Sequence, residues 1–185
     1  FEQLPRDQQL EFINSMYRKS EKLESIINDI LSASEMDSDT FIVRLQDEIN
    51  VEDMLRASVA DFSQQAQDKN ISIVFKKPAE RLPLIRGNRR YLEHAVSNLL
   101  SNALRYTKKG SIVLEACVEA DKSARNHERL IISVKDTGIG IPKDALPKLF
   151  EKFVRAQNAR NMYTDGSGLG LFIVKKAVSA HPGGK

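Results

Sequence analysis

Apolar side chains return at helical spacing along the first stretch of the chain. Over residues 7–34, Ile13, Met16, Leu23, Ile27 and Ile30 form a stripe that Tyr17, Ile26 and Leu31 widen. Met16, Leu23 and Ile30 are each a heptad apart, but too few repeats follow to define a coiled coil. A stripe this wide has to be buried. Its cover is expected to be a partner helix in a dimer, with the chain's own domain as the alternative. Residues 34–40 are polar and acidic and break the period. They divide the chain into a helical segment, 1–36, and a second domain, 37–185.

The second domain alternates between the two periods. A short strand is expected within 41–49, after which Asn50 can cap a helix with the stripe Val51, Leu55, Val59, Phe62 and Ala66. Residues 71–75 read as a strand, and 83–86 as a short one stopped by Gly87. Asn88 is placed to cap a helix over 89–106. Gly110 turns the chain into a strand over 111–119, a charged loop over 121–128 follows, and residues 130–135 complete a hairpin. Pro142 suits the first turn of a short helix. Residues 151–165 are polar and aperiodic, a long loop of the kind that carries function. A last helix spans 168–180 and ends before Pro182. The order predicts an α/β (α+β) two-layer sandwich, with a mixed sheet on about three helices and a long helix in front. It lacks the repeated βαβ alternation of a Rossmann fold.

Composition narrows the class only modestly. The chain has 185 residues, is 41% hydrophobic and 29% charged, and carries a net charge of +3. Its basic residues are scattered, so no nucleic-acid footprint is expected. No apolar run reaches the ~18 residues of a membrane span, so no membrane contact by this segment is expected. The single cysteine, Cys117, cannot form an internal disulfide and lies in an apolar alternating run, where a buried, inert thiol is expected. A reducing cytoplasmic compartment fits. Phe1 opens the chain without an initiator Met, and the sequence reads as a piece of something longer.

Three short blocks carry the chemistry. In the helix over 89–106, Leu92, Val96, Leu99, Leu100 and Ala103 form the apolar face. Asn98 and Asn102 flank it one turn apart, with Arg105 and Tyr106 on the next turn. Two amides at the edge of a buried helix need partners or a ligand, and amide oxygens are hard ligands suited to Mg²⁺. Asp136, Gly138 and Gly140 follow directly on a strand, where a carboxylate beside flexible backbone can accept a hydrogen bond from an exocyclic amine such as adenine's. The alternative is a plain tight turn. Gly166, Ser167, Gly168, Leu169, Gly170 and Leu171 open an apolar helix, where free N–H groups attract phosphate. This block is neither a Walker A loop nor the strand-linked dinucleotide fingerprint.

The ordered set resembles the nucleotide-binding domain of sensor histidine kinases, of the Bergerat type shared with gyrase, mismatch-repair and chaperone ATPases. Residues 98–106 match the family's N box, 136–142 its first glycine box, 149–155 (LFEKFVR) its F box and 166–171 its second glycine box. Gly87, Asn88 and Arg89 stand where the family has Gly-Asp before the N-box helix, with Asn in place of Asp. The match covers about residues 41–185, and residues 28–34 look like the second helix of the dimerisation and phosphotransfer domain. The resemblance implies an ATP-dependent protein-histidine kinase that passes the γ-phosphate to a histidine and thence to the aspartate of a response-regulator receiver domain. It implies ATP and Mg²⁺ as cofactors and a homodimer formed through the N-terminal helix. Asp136 would receive the adenine amine, Asn102 would hold Mg²⁺, and Asn98 would support metal and phosphates. Tyr106 would stack on adenine, Arg105 would reach the phosphates, and Arg155 is the candidate for the terminal phosphate. Residues 143–165 would form the lid.

Two departures qualify the resemblance. The hydrolytic branch carries a general-base Glu where this chain has Asn98, and a neutral amide is a poor base. ATP is therefore expected to be held rather than hydrolysed. The family's phosphoacceptor His, on an upstream helix, has no counterpart here, since His94 lies in the N-box helix, His127 in a loop and His181 after the last helix. The family's last two strands would begin where the chain stops, at Lys185. A partner-binding member without catalysis and a hydrolytic ATPase are the competing readings. The sequence leaves open whether the parent protein is anchored in the cell membrane.

Overall fold

The computed structural model describes residues 4–37, 44–120, 128–163 and 166–184. Helix α1 (Arg6–Asp37) comes first. Strand β1 (Asp47–Asn50), helix α2 (Val51–Asp68), strands β2 (Ile71–Lys76) and β3 (Leu84–Gly87) and helix α3 (Arg89–Tyr106) follow. Strands β4 (Gly110–Ala120) and β5 (Glu128–Asp136), a 3₁₀ turn (Leu146–Lys148), and helices α4 (Gln157–Met162) and α5 (Gly170–Ser179) complete the order. The expected strand before Asn50 is β1, and the expected hairpin is β4–β5, although its loop and His127 lie outside the described residues. The expected boundary at 34–40 falls partly within α1, which runs on to Asp37, and partly outside the described residues.

The larger sheet has the order β2-β4-β5 and is mixed. Strand β2 runs parallel to β4, from Ile71 opposite Gly110 to Lys76 opposite Glu115. Strand β5 runs antiparallel to β4, from Ile112 opposite Asp136 to Ala120 opposite Glu128. Among the described residues the outer edge of β5 is unpaired. Strands β1 and β3 make a separate antiparallel ribbon.

One face of the sheet meets α2 and α3. Ile112 and Leu114 from β4 are fully buried there against Leu55 and Leu100. The opposite face of β4 carries Val113, Glu115 and Cys117. Glu115 pairs there with Lys76 and Lys135, and the hydrogen bond from Lys76, then the charge of Lys135, hold its carboxyl below the usual range. Cys117 is exposed, not buried as expected. It shares its parity with Ser111, Glu115 and Glu119, a polar set that marks this face as the solvent side.

Helix α3 is buried on two sides. Val96, Leu100, Ala103 and Leu104 join the sheet core, while Tyr91 and Ala95 join a second cluster with Leu169, Phe172, Ile173 and Ala177 of the α5 region. Ala33 and Met36, at the end of α1, complete that second cluster. The chain's own domain thus covers α1 at Ala33 and Met36, beyond the expected stripe. Ile13, Met16, Leu23, Ile27 and Ile30 remain exposed.

Two asparagines set helix starts. Asn50 accepts from the Asp53 N–H at 3.3 Å, and Asn88 accepts from the Tyr91 N–H at 3.2 Å. His181, just past α5, ties that helix back to α3. Its Nε2 accepts from the Asn88 N–H at 3.0 Å, which leaves Nδ1 to carry the proton and donate to the Ala177 carbonyl at 2.7 Å. The expected helix at Pro142 is instead a turn, closed by the Ala145 N–H on the Pro142 carbonyl, with the 3₁₀ turn beginning at Leu146. The expected loop over 151–165 contains α4, a short helix without an apolar period for sequence to reveal.

Asn88 carries a cap on a helix that both clusters share. Its replacement, Asn88→Ala, should lower unfolding stability by about 1 kcal/mol, read as a shift of the urea midpoint at unchanged slope.

Candidate functional site

One cavity of about 330 Å³ opens between α1, α3, the end of β5, the segment before α4 and the start of α5. That volume falls within the roughly 300–1,000 Å³ usual for small-molecule sites. Asn98, Asn102, Arg105, Tyr106, Asp136, Gly140, Arg155, Gly166, Gly168 and Gly170 all line it. In sequence these residues are scattered over the three blocks and the segment 149–155, and the fold brings them to one place. Of the remaining expected residues, Gly138 sits behind Asp136 and Leu169 is buried in the second cluster.

Helix periodicity explains the first wall. Asn98, Asn102 and Arg105 follow at i, i+4 and i+7, so they continue, toward the C-terminus of α3, the face that Tyr91 and Ala95 give to the second cluster. The Asn98 Nδ2 donates to the His94 carbonyl at 3.1 Å, which turns Oδ1 toward α5. A Cβ on Gly170 would lie 2.7 Å from that oxygen and 3.8 Å from Asn102 Nδ2. The two amides therefore face the first turn of α5 across a gap that only glycine leaves open.

The second wall is the turn after β5. Asp136 Oδ1 accepts from the Gly138 N–H at 2.8 Å, and the Ile139 N–H donates to the Tyr106 carbonyl at 3.2 Å. A Cβ on Gly138 would come within 2.5 Å of that carbonyl. The carboxylate is fixed at the cavity edge beside Tyr106. Tyr163 meets Tyr106 edge-on, with ring centres 6.1 Å apart. Sequence reading did not single out Tyr163, because nothing in its polar, aperiodic surroundings marks it.

The third wall is the glycine turn before α5. Gly168 has φ +69°, and the Phe153 N–H donates to its carbonyl at 3.0 Å. Both arginines reach this turn. A Cβ on Gly166 would lie 2.9 Å from Arg105 Nη1 and 3.5 Å from Arg155 Cζ. Arg155 also donates to the Tyr163 and Ala159 carbonyls and so caps the end of α4. Two guanidinium groups beside a helix start form an anion-attracting corner.

Helix α1 supplies a fourth wall that sequence reading missed. Lys22, Ser25, Ile26 and Asp29 line the cavity from one face of that helix. Periodicity identified the helix but could not identify what its polar face would meet. Three acidic residues fasten α1 to the second domain. Asp29 meets Ser167 and His94, Glu35 accepts from the Tyr91 hydroxyl at 3.0 Å, and Asp37 pairs with Lys152 and Lys176.

Among the described residues no group of three His, Cys, Asp or Glu side chains could hold a metal by itself. A metal here would have to take Asn oxygens together with a ligand's own donors, which is the mode Mg²⁺ prefers. Asn98 and Asn102 fit that requirement.

The sequence profile described as histidine kinase-, DNA gyrase B-, and HSP90-like ATPase matches residues 87–185, and the chain belongs to that family. Sensor protein GacS of Pseudomonas syringae pv. syringae is 30% identical over 172 residues, covering 92% of this chain and 18% of its own length. Sensor protein SrrB of Staphylococcus aureus is 30% identical over 165 residues, covering 89% of this chain and 27% of its own length. The chain thus spans less than a third of either relative. A solved structure of full-length ShkA in complex with AMPPNP superposes with a TM-score of 0.74 at 28% identity, over 96% of this chain and 35% of that one. The histidine kinase AdeS of Acinetobacter baumannii shares the fold, with a TM-score of 0.66 at 19% identity over 91% of this chain and 72% of that one. The two-layer architecture expected of the Bergerat type is therefore the one the chain adopts. No described helix is long and apolar enough to cross a membrane.

The hydrogen bond from Lys152, with Lys176 adding a second, holds the Asp37 carboxyl below its ordinary range despite partial desolvation. A carboxyl lowered in the folded state stabilises the fold above its unfolded pKa and loses that contribution as pH falls through the folded value. Asp37→Asn should therefore lose stability at neutral pH, with a deficit that begins to shrink below about pH 4 and vanishes only beneath the lower folded value, checked by thermal melts across that range.

Proposed function

We propose that the chain is the ATP-binding catalytic core of a sensor histidine kinase. The convergence of Asn98, Asn102, Arg105, Tyr106, Asp136 and the turn over 166–170 on one cavity carries this reading. Asp136 accepts from the adenine amine, and Tyr106 packs on the base. The free N–H groups at the start of α5, with Arg105 and Arg155, receive the phosphates. Arg155 is the candidate for the terminal phosphate. Asn102, supported by Asn98, holds Mg²⁺. The metal supplies charge neutralisation on the phosphates when bound. The solved relative with AMPPNP supports a nucleoside triphosphate as the ligand.

The reaction proposed is transfer of the γ-phosphate to a histidine outside residues 1–185, and from there to an aspartate of a response-regulator receiver domain. Asn98 cannot take a proton from water, so the bound triphosphate is kept for an acceptor brought to it. Positioning and electrostatics supply the acceleration. Residues 1–36 belong to the dimerisation and phosphotransfer hairpin, and 37–185 form the catalytic domain. The exposed stripe Ile13, Met16, Leu23, Ile27 and Ile30 supports a homodimer through α1. The segment works in the cytoplasm.

Asp136→Asn should weaken ADP binding by about 10- to 100-fold, the worth of a hydrogen bond to a charged group, with an unchanged melting temperature. Unchanged affinity on calorimetric titration would remove Asp136 from the site. The chain given ATP and Mg²⁺ should yield no phosphohistidine, and acid-labile label on the isolated chain would contradict an external acceptor.

A further inference from the structure

The carboxylate of Asp29 stands at the phosphate end of the cavity, and nothing in the proposed reaction uses it. It lies on α1, far in sequence from the blocks on α3, β5 and α5 that form the other walls. Its Oδ2 accepts from the Ser167 hydroxyl at 3.0 Å, and Ser167 Oγ in turn accepts from the Leu169 N–H at 3.3 Å. Its Oδ1 lies 3.6 Å from His94 Nε2 on α3. A negative charge is thus relayed through one hydroxyl to the start of α5, where an incoming phosphate would lie.

The glycine turn does not need Asp29 for its shape. The Phe153 N–H holds the Gly168 carbonyl, and the Phe153 backbone lies against Gly168 on its other side. The remaining effect of Asp29 on an anion is electrostatic. Lys22, Arg105 and Arg155 line the same cavity and attract phosphate, while Asp29 opposes them.

We propose that Asp29 is a specificity-determining residue of the nucleotide site. Its charge lowers affinity in proportion to the number of phosphates, and phosphate binding in turn weakens the seat of α1 on the second domain. The two effects are one coupling seen from either side. Ser25 and Ile26 line the cavity beside Asp29, so α1 cannot shift without opening the cavity. The proposal rests on the nucleotide reading of the same cavity and adds to it a direction of coupling.

The test is titration of the whole chain and of Asp29→Asn with AMP, ADP and AMPPNP at low and moderate salt. Asparagine keeps an acceptor for Ser167 and removes only the charge. The variant should bind ADP and AMPPNP about three- to tenfold more tightly, with a smaller gain for AMP, and the gain should shrink as salt rises. Asp29→Glu should return affinity toward that of the parent chain. Hydrogen exchange around residues 22–36 should quicken on ADP binding in the parent chain and change less in Asp29→Asn. Equal or weaker ADP binding by Asp29→Asn overturns the proposal while leaving the nucleotide site intact. A folded parent chain that binds none of the three overturns the nucleotide reading and this proposal with it.

Discussion

Helix α3 has to satisfy three neighbours at once, and the rest of the structure depends on how its circumference is divided. One side closes the sheet core through Val96, Leu100 and Ala103, and another closes the α5 cluster through Tyr91 and Ala95. Further along that second side it turns polar, as a narrow stripe of Asn98, Asn102 and Arg105. With two sides packed, that stripe can neither rotate nor slide without exposing buried Leu100. Core packing therefore positions the polar groups, and no loop has to hold them. His181 adds to the constraint by fastening the end of α5 to the N-terminus of α3.

The cavity forms where elements from distant parts of the chain end. Strand β5 delivers Asp136 at its terminus, and the glycine turn delivers the open N-terminus of α5. Glycine at Gly138 and Gly170 lets these ends approach α3 closely enough to share one space. Along the cavity Asp136 stands at the Tyr106 end, and two guanidinium groups, with Asp29 opposing them, stand at the Gly166 end. A ligand with a hydrogen-bond-donating heterocycle at one end and anionic groups at the other matches that polarity.

Much of this was legible in the sequence where one strong period coincided with a cap. Helix α3 was read with its span and its Asn88 cap as the structure has them, because a clean apolar face and a capping amide agree. The three chemical blocks were legible because glycine, asparagine and aspartate at element ends have few structural substitutes. Cys117 was misplaced even though Ser111, Glu115 and Glu119 share its parity and mark that face of β4 as the solvent side. Helix α4 was missed because its six residues, apolar only at Ala159 and Met162, are too few to show a period. Contact between α1 and the cavity was beyond sequence reading altogether. Periodicity says that Lys22, Ser25, Ile26 and Asp29 share a face, but only the docked geometry of Ala33 and Met36 directs that face toward the glycine turn.

The proposed function requires that these three blocks form one nucleotide site. Calorimetric titration of the folded chain with ADP and AMPPNP, with and without Mg²⁺, tests it directly, alongside a phosphate-release assay with ATP. The account predicts saturable one-to-one binding of both, strengthened by Mg²⁺, with no phosphate release above background. A folded chain that gives no binding heat with either nucleotide would contradict it.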